Sequence, residues 1–176
     1  WSDEARARLA GYVRLGPRVS FGAPVLAVRL AAGATAGTIP EWFSVGGVSS
    51  GAVEVAYGQT LGRTRAFPVR GYDGGALRGR RTATVTVEYR IPLALVGRSF
   101  GHLPFGADRL SLALFGDAGD AWEPGERARL HRLCSAGVEL VGDLTVSYDV
   151  PLRVRLGVAQ PADGHPRGYA AFAADF

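Results

Sequence analysis

The stretch Thr82-Ala83-Thr84-Val85-Thr86-Val87-Glu88-Tyr89-Arg90-Ile91-Pro92-Leu93 decides the fold class. Successive side chains of an extended chain point to opposite faces. Ala83, Val85, Val87, Tyr89, Ile91 and Leu93 therefore share one surface, and Thr82, Thr84, Thr86, Glu88 and Arg90 share the other. This period-two pattern predicts a strand with one apolar and one polar face.

The same rhythm extends in both directions. Between Arg109 and Ala118, Leu110, Leu112 and Leu114 oppose Arg109, Ser111 and Asp117. From Leu144 to Val158 every even position is apolar, while the odd ones include Thr145, Ser147, Asp149, Arg153 and Arg155. Pro151 cannot donate to a central ladder, so the pattern predicts a strand ending near Tyr148, a tight turn at Asp149–Pro151 and a new strand from Leu152 to Gln160. Gly168 to Phe176 alternates with Phe172, Ala174 and Phe176 on one side, and Leu26, Val28 and Leu30 oppose Arg29. Arg6 to Leu15 reads as a strand in preference to a short helix capped by Ser2-Asp3-Glu4.

Gly/Pro-rich connectors separate these strands at Gly16–Pro24, Val96–Asp108, Glu123–Arg132 and Pro161–Arg167. A much longer connector, about 35–81, carries ten glycines. Segments of that length inside a domain are functional or disordered more often than idle. Val53, Val55 and Tyr57 suggest a local hairpin strand within it.

Composition narrows the function classes. The chain has 176 residues, 47% of them hydrophobic, which is globular rather than disordered. No apolar run approaches the roughly 20 residues of a spanning helix, so the one route into a bilayer is a β-barrel. All 20 basic residues are Arg, which reports codon bias more simply than ligand recognition. The pI near 9.7 has one local source, Arg78, Arg80 and Arg81, without the basic stripe and interleaved aromatics of a nucleic-acid surface. Cys134 is the single cysteine, which excludes an intrachain disulfide and a cysteine zinc site. The chain lacks Met and begins at Trp1, as expected of a processed or truncated product.

Alternation fits both a soluble β-sandwich or lipocalin-like barrel and a transmembrane barrel. The polar faces hold Arg and Glu in mid-strand, as a lumen wall would, and the chain closes on an aromatic, Phe176. Phe67-Pro68-Val69-Arg70-Gly71-Tyr72, followed by TATVTVEYRIPL and LSLALFGDAGDAW, resembles the bacterial surface antigen superfamily of outer-membrane barrels, of the BamA, TamA and two-partner-secretion transporter type. Glu41–Gly47 (EWFSVGG) resembles the segment ahead of that family's VRGY tip, and SAGVEL, GVAQP and Phe176 resemble its last three strands. The chain offers six or seven strands and so resembles the C-terminal half of such a barrel. It departs from the pattern in the insertion-like stretch Val48–Ala66 and in Ala174, which is weaker than the residue usual there in the C-terminal sorting signal formed with Phe172 and Phe176.

The resemblance implies a non-enzymatic protein of the outer membrane of a Gram-negative-type bacterium. It implies contact with outer-membrane lipid, unfolded β-barrel proteins as clients, and further residues or chains completing the barrel. An anchoring barrel for an enzyme domain and a soluble β-sandwich binding domain are the alternatives. Counting strands back from the C-terminus makes 35–81 an extracellular loop and Asp149–Pro151, Gly16–Pro24 and Val96–Asp108 periplasmic. If the loop folds inward, Arg70 needs carboxylates, because an unpaired buried charge is costly. Parity puts Glu88 and Asp117 on the polar side, and the resemblance implies the same pairing, with Gly71 allowing a tight backbone beside Arg70 and Tyr72. Alternatively Arg70 is a solvated loop charge and Glu88 pairs locally with Arg90.

No catalytic constellation is legible. His102, His131 and His165 lie in connectors without metal-ligand spacing, and Ser135 and Cys134 lack a nucleophile context. Asp117 and Asp120 of FGDAGD fall on opposite faces, which favours structural acids over a cation site. Trp42, Phe43 and Trp122 read as interfacial or packing aromatics, and no cofactor or metal is expected.

Overall fold

The computed structural model describes residues 2–15, 22–38, 41–48, 66–99, 105–146 and 150–173. They form an all-β structure of ten strands: β1 (Ser2–Arg14), β2 (Val25–Gly37), β3 (Phe43–Val45), β4 (Ala66–Phe67), β5 (Leu77–Gly79), β6 (Arg81–Ser99), β7 (Phe105–Trp122), β8 (Leu133–Val146), β9 (Val150–Pro161) and β10 (Arg167–Ala173). Seven make one antiparallel sheet in the order β1-β2-β6-β7-β8-β9-β10. The sheet is open, with β1 and β10 at its edges. Among the described residues no helix is long and apolar enough to cross a membrane, which says nothing of strands.

Register aligns the apolar positions into rows. One rung runs Val13, Leu26, Tyr89, Leu114, Val138, Val158 and Gly168 across all seven strands. The next runs Ile91, Leu112, Leu140, Leu156 and Ala170. A one-residue slip at any pairing would interleave the two faces, so alternation itself fixes the register.

The burial of the two faces is the reverse of a water-soluble sheet. Leu114 is 46% exposed and Leu156 51%, whereas Glu88 is 3% and Asp117 4%. The reason is that the described parts of the long connector, 41–48 and 66–79, fold back over the polar face. There β4-β3-β5 form a small second sheet, β3 pairing parallel with β4 and antiparallel with β5. Phe43, Val45, Phe67 and Val69 bury themselves with Ala121 and Leu133 beneath it, and the Phe43 and Phe67 rings meet edge-to-face at 5.4 Å. Gly33 permits this approach, since a Cβ there would stand 2.8 Å from the Phe43 ring.

Several boundaries differ from the sequence expectation. The connector at 35–81 is not irregular throughout: β2 reaches Gly37, and β3, β4 and β5 lie within it. Its shortness of period-two signal hid strands of two or three residues. The connector placed at Val96–Asp108 contracts, because β6 continues to Ser99 and β7 begins at Phe105. Register shifts at Pro92/Ala94 and Leu95/Arg98 interrupt the alternation there, as bulges do. Val150 and Pro151 already belong to β9, paired with Val146 and Thr145, so Pro151 lies in a strand and not in a turn. Proline is tolerated at a strand's beginning. Near the N-terminus Asp3 and Glu4 pair with Ala36 and Thr35 in β1, and the helix alternative is not adopted. The suggested hairpin at Val53–Tyr57, together with His102, Asp149, Ala174 and Phe176, lies outside the described residues.

Candidate functional site: an arginine held by three carboxylates

The turn after Val69 delivers Arg70 to the polar face of the large sheet. An isolated bridge between Gly47 and Val69, with hydrogen bonds from Gly46 N to Phe67 O and from Gly47 N to Tyr72 O, closes the loop base. Gly71 adopts φ +88°, and a Cβ there would lie 3.0 Å from the Ala159 Cβ of β9. Only a residue without a side chain fits both demands.

Arg70 is 4% exposed and uses its whole donor fork. Its Nε and Nη2 donate to the two oxygens of Asp117 at 2.7 and 2.8 Å, and its backbone N–H donates to Asp117 Oδ2 at 3.1 Å. Nη1 donates to Glu88 Oε1 at 2.9 Å and stands 3.2 Å from Glu139 Oε2. The guanidinium carbon lies 3.6 Å from the centre of the Phe115 ring, a stacking contact. The structure thus brings Arg70, Glu88 and Asp117 together, and Arg70 is not solvated. Glu88 also accepts from Arg90 Nε at 2.8 Å through its other oxygen, so the local pair and the loop pair coexist.

Five neighbouring strands supply this site. Glu88 comes from β6, Asp117 and Phe115 from β7, Glu139 from β8, Arg155 from β9 and Tyr169 from β10. Parity and register bring them together: Glu88 pairs with Phe115, Glu139 with Gly157 and Gly157 with Tyr169. Arg155 Nη2 stands 3.4 Å from Glu88 and 3.2 Å from Glu139, and the Tyr169 hydroxyl donates to Glu139 at 2.6 Å. Three carboxylates and the guanidiniums of Arg70, Arg90 and Arg155 therefore balance. Burial alone disfavours the Arg70 cation, but Asp117, then Glu139 and Glu88, outweigh it and raise its pKa above the ordinary value. Arg70 stays charged at every pH the fold survives.

Tyr72 makes a second attachment. Its hydroxyl donates to the Cys134 carbonyl at 2.9 Å and lies 3.3 Å from the Cys134 N–H, tying the loop to the start of β8. Burial, followed by the neighbouring Asp163, pushes its pKa up, so the hydroxyl keeps its proton. One residue on, Asp73 accepts from Arg167 Nη1 at 2.9 Å at the start of β10.

The remaining candidates separate. Phe172 is 42% exposed on the apolar face opposite Val154. Asp120 caps the β7–β8 connector, accepting from the Arg129 N–H at 2.7 Å. His131 and His165 are exposed, and among the described residues no group of three His, Cys, Asp or Glu could hold a metal ion. Phe43 is core, while Trp42 is exposed. Glu139, Phe115, Arg155 and Tyr169 escaped the sequence reading. Odd parity through Ser135, Gly137 and Glu139 was the available signal for the first, but nothing local distinguishes a strand glutamate facing a loop from one facing water.

Comparison with known proteins finds no matching family model, no matching curated protein and no matching solved structure.

Proposed function

We propose that this chain forms part of an outer-membrane β-barrel of the surface antigen type, which helps insert or translocate other β-rich proteins. The observation that carries the reading is the inverted polarity of the large sheet: continuous apolar rungs outward and a buried ionic network inward. In water such an outer face would be an uncovered apolar surface across seven strands, far beyond the patches soluble monomers expose. Facing lipid, it is the favourable surface, and the polar face becomes a lumen wall. β6 and β7, with 19 and 18 residues, exceed the roughly 9–11 that a bilayer requires, and so would project past it.

In this picture Arg70 fastens the long loop to the wall through Glu88, Asp117 and Glu139. The edges β1 and β10 would need partner strands, since unpaired backbone groups are not tolerated in hydrocarbon. An exposed edge also templates pairing with an incoming strand, which is how such a protein would receive a client. Proteoliposomes carrying the full-length protein test the reading. We expect them to accelerate folding of a urea-unfolded outer-membrane barrel, and R70A to remove most of the acceleration. Proteoliposomes no faster than empty vesicles would contradict an assembly role and leave anchoring as the better reading.

A further inference from the structure

Below the arginine site the polar face changes sign. The rungs that meet Arg70 carry Asp117, Glu88 and Glu139, the last sharing its rung with Arg90, whereas the following rungs carry Arg155 and then Arg109 and Arg153. These four arginines, with Ser111 and, among the described residues, one carboxylate, Asp143, line a cavity of about 190 Å³ on that face. Register places Asp143 between two cations, directly opposite Arg109 on β7 and Arg153 on β9.

Arg90 is engaged by Glu88, and Arg155 by Glu88 and Glu139. Arg153 takes Asp143 at 2.7 Å. Arg109 faces the same Asp143 in register, yet among the described residues it has no ion-pair partner. The Arg155 Nε is buried and makes no hydrogen bond. Guanidinium forks converging on a small space match the geometry of carboxylate and phosphate oxygens.

We infer that this cavity is a binding site for a small oxyanion, the carboxylate or phosphate group of a ligand, held chiefly by Arg109 with Arg155 and Ser111. The volume is below that of pockets for drug-sized molecules, so it takes one anionic group rather than a whole cofactor. The anion would pair with Arg109, which is exposed on the cavity side and has no ion pair among the described residues. Nothing in this depends on lipid surrounding the sheet, so it stands apart from the proposed function.

Calorimetric titration of the folded full chain with inorganic phosphate and, separately, acetate, at constant ionic strength set by chloride, tests the site. We expect saturable binding of at least one of the two, and which one binds identifies the group. R109Q should weaken it about tenfold, the worth of one charge-assisted hydrogen bond. D143N should tighten it several-fold, because it removes the competing carboxylate, an effect that general loss of structure would not produce. If neither anion binds more than chloride does, or if R109Q and D143N both bind as the unmodified chain, the inference is overturned.

Discussion

The two faces of the large sheet obey opposite rules although the same strands build both. On the polar face, charged groups are buried because a loop covers them and supplies their counter-charge: Arg70 enters among Glu88, Asp117 and Glu139. On the apolar face, Leu114, Val138, Leu140 and Leu156 lie in register, exposed, with nothing among the described residues packed over them. Alternation therefore sorts residues into two sets but does not say which set is inside. The covering decides that, and the covering is a property of the loop.

Removing Arg70 should break the contrast most severely. R70A leaves the buried Asp117 without its ion-pair partner and Glu88 and Glu139 held only by Arg90 and Arg155, and loss of one partner from a buried ionic group costs about 3–5 kcal/mol. The expected outcome is release of the loop, read as new protease cleavage within 66–79 and a lower melting temperature. R70K should recover only part of the loss, since a lysine cannot span Asp117 and Glu88 as a planar fork does. Unchanged protection in R70A would mean that the Phe43–Val69 core alone holds the loop.

On the opposite face L114R gives a sharper contrast. If lipid covers that surface, an arginine near its middle costs about 2–4 kcal/mol, measured as lost folding stability in vesicles. If water covers it, the change should be within about 0.5 kcal/mol. Smaller still is Y72F, which removes the hydroxyl bonded to Cys134 and should cost about 1 kcal/mol without exposing the Arg70 site. A loss as large as that of R70A would show that the tyrosine, not the arginine, is the main attachment.

Much of this contrast is legible in the chain itself. Unbroken alternation at Thr82–Leu93 and Arg109–Ala118 gives the strands and assigns Glu88 and Asp117 to one face, because parity is a purely local property. Arg70 stands out only through the residues around it. Glu139, Arg155 and Tyr169 were hidden for a physical reason: their meeting depends on register across β8, β9 and β10, which no single strand encodes. The short strands β3 and β4 were hidden too, since three and two residues carry no period. Their place is set by burial of Phe43 and Phe67 under tertiary contacts.

The proposed outer-membrane barrel requires the apolar rungs to face hydrocarbon while the polar face does not. In a C134S background, a fluorophore attached at position 114 or 140 should be quenched by brominated lipid and shielded from aqueous iodide in vesicles. A fluorophore at position 109 should show the reverse. Equal quenching by iodide at all three positions, with no effect of bromine, would contradict the account.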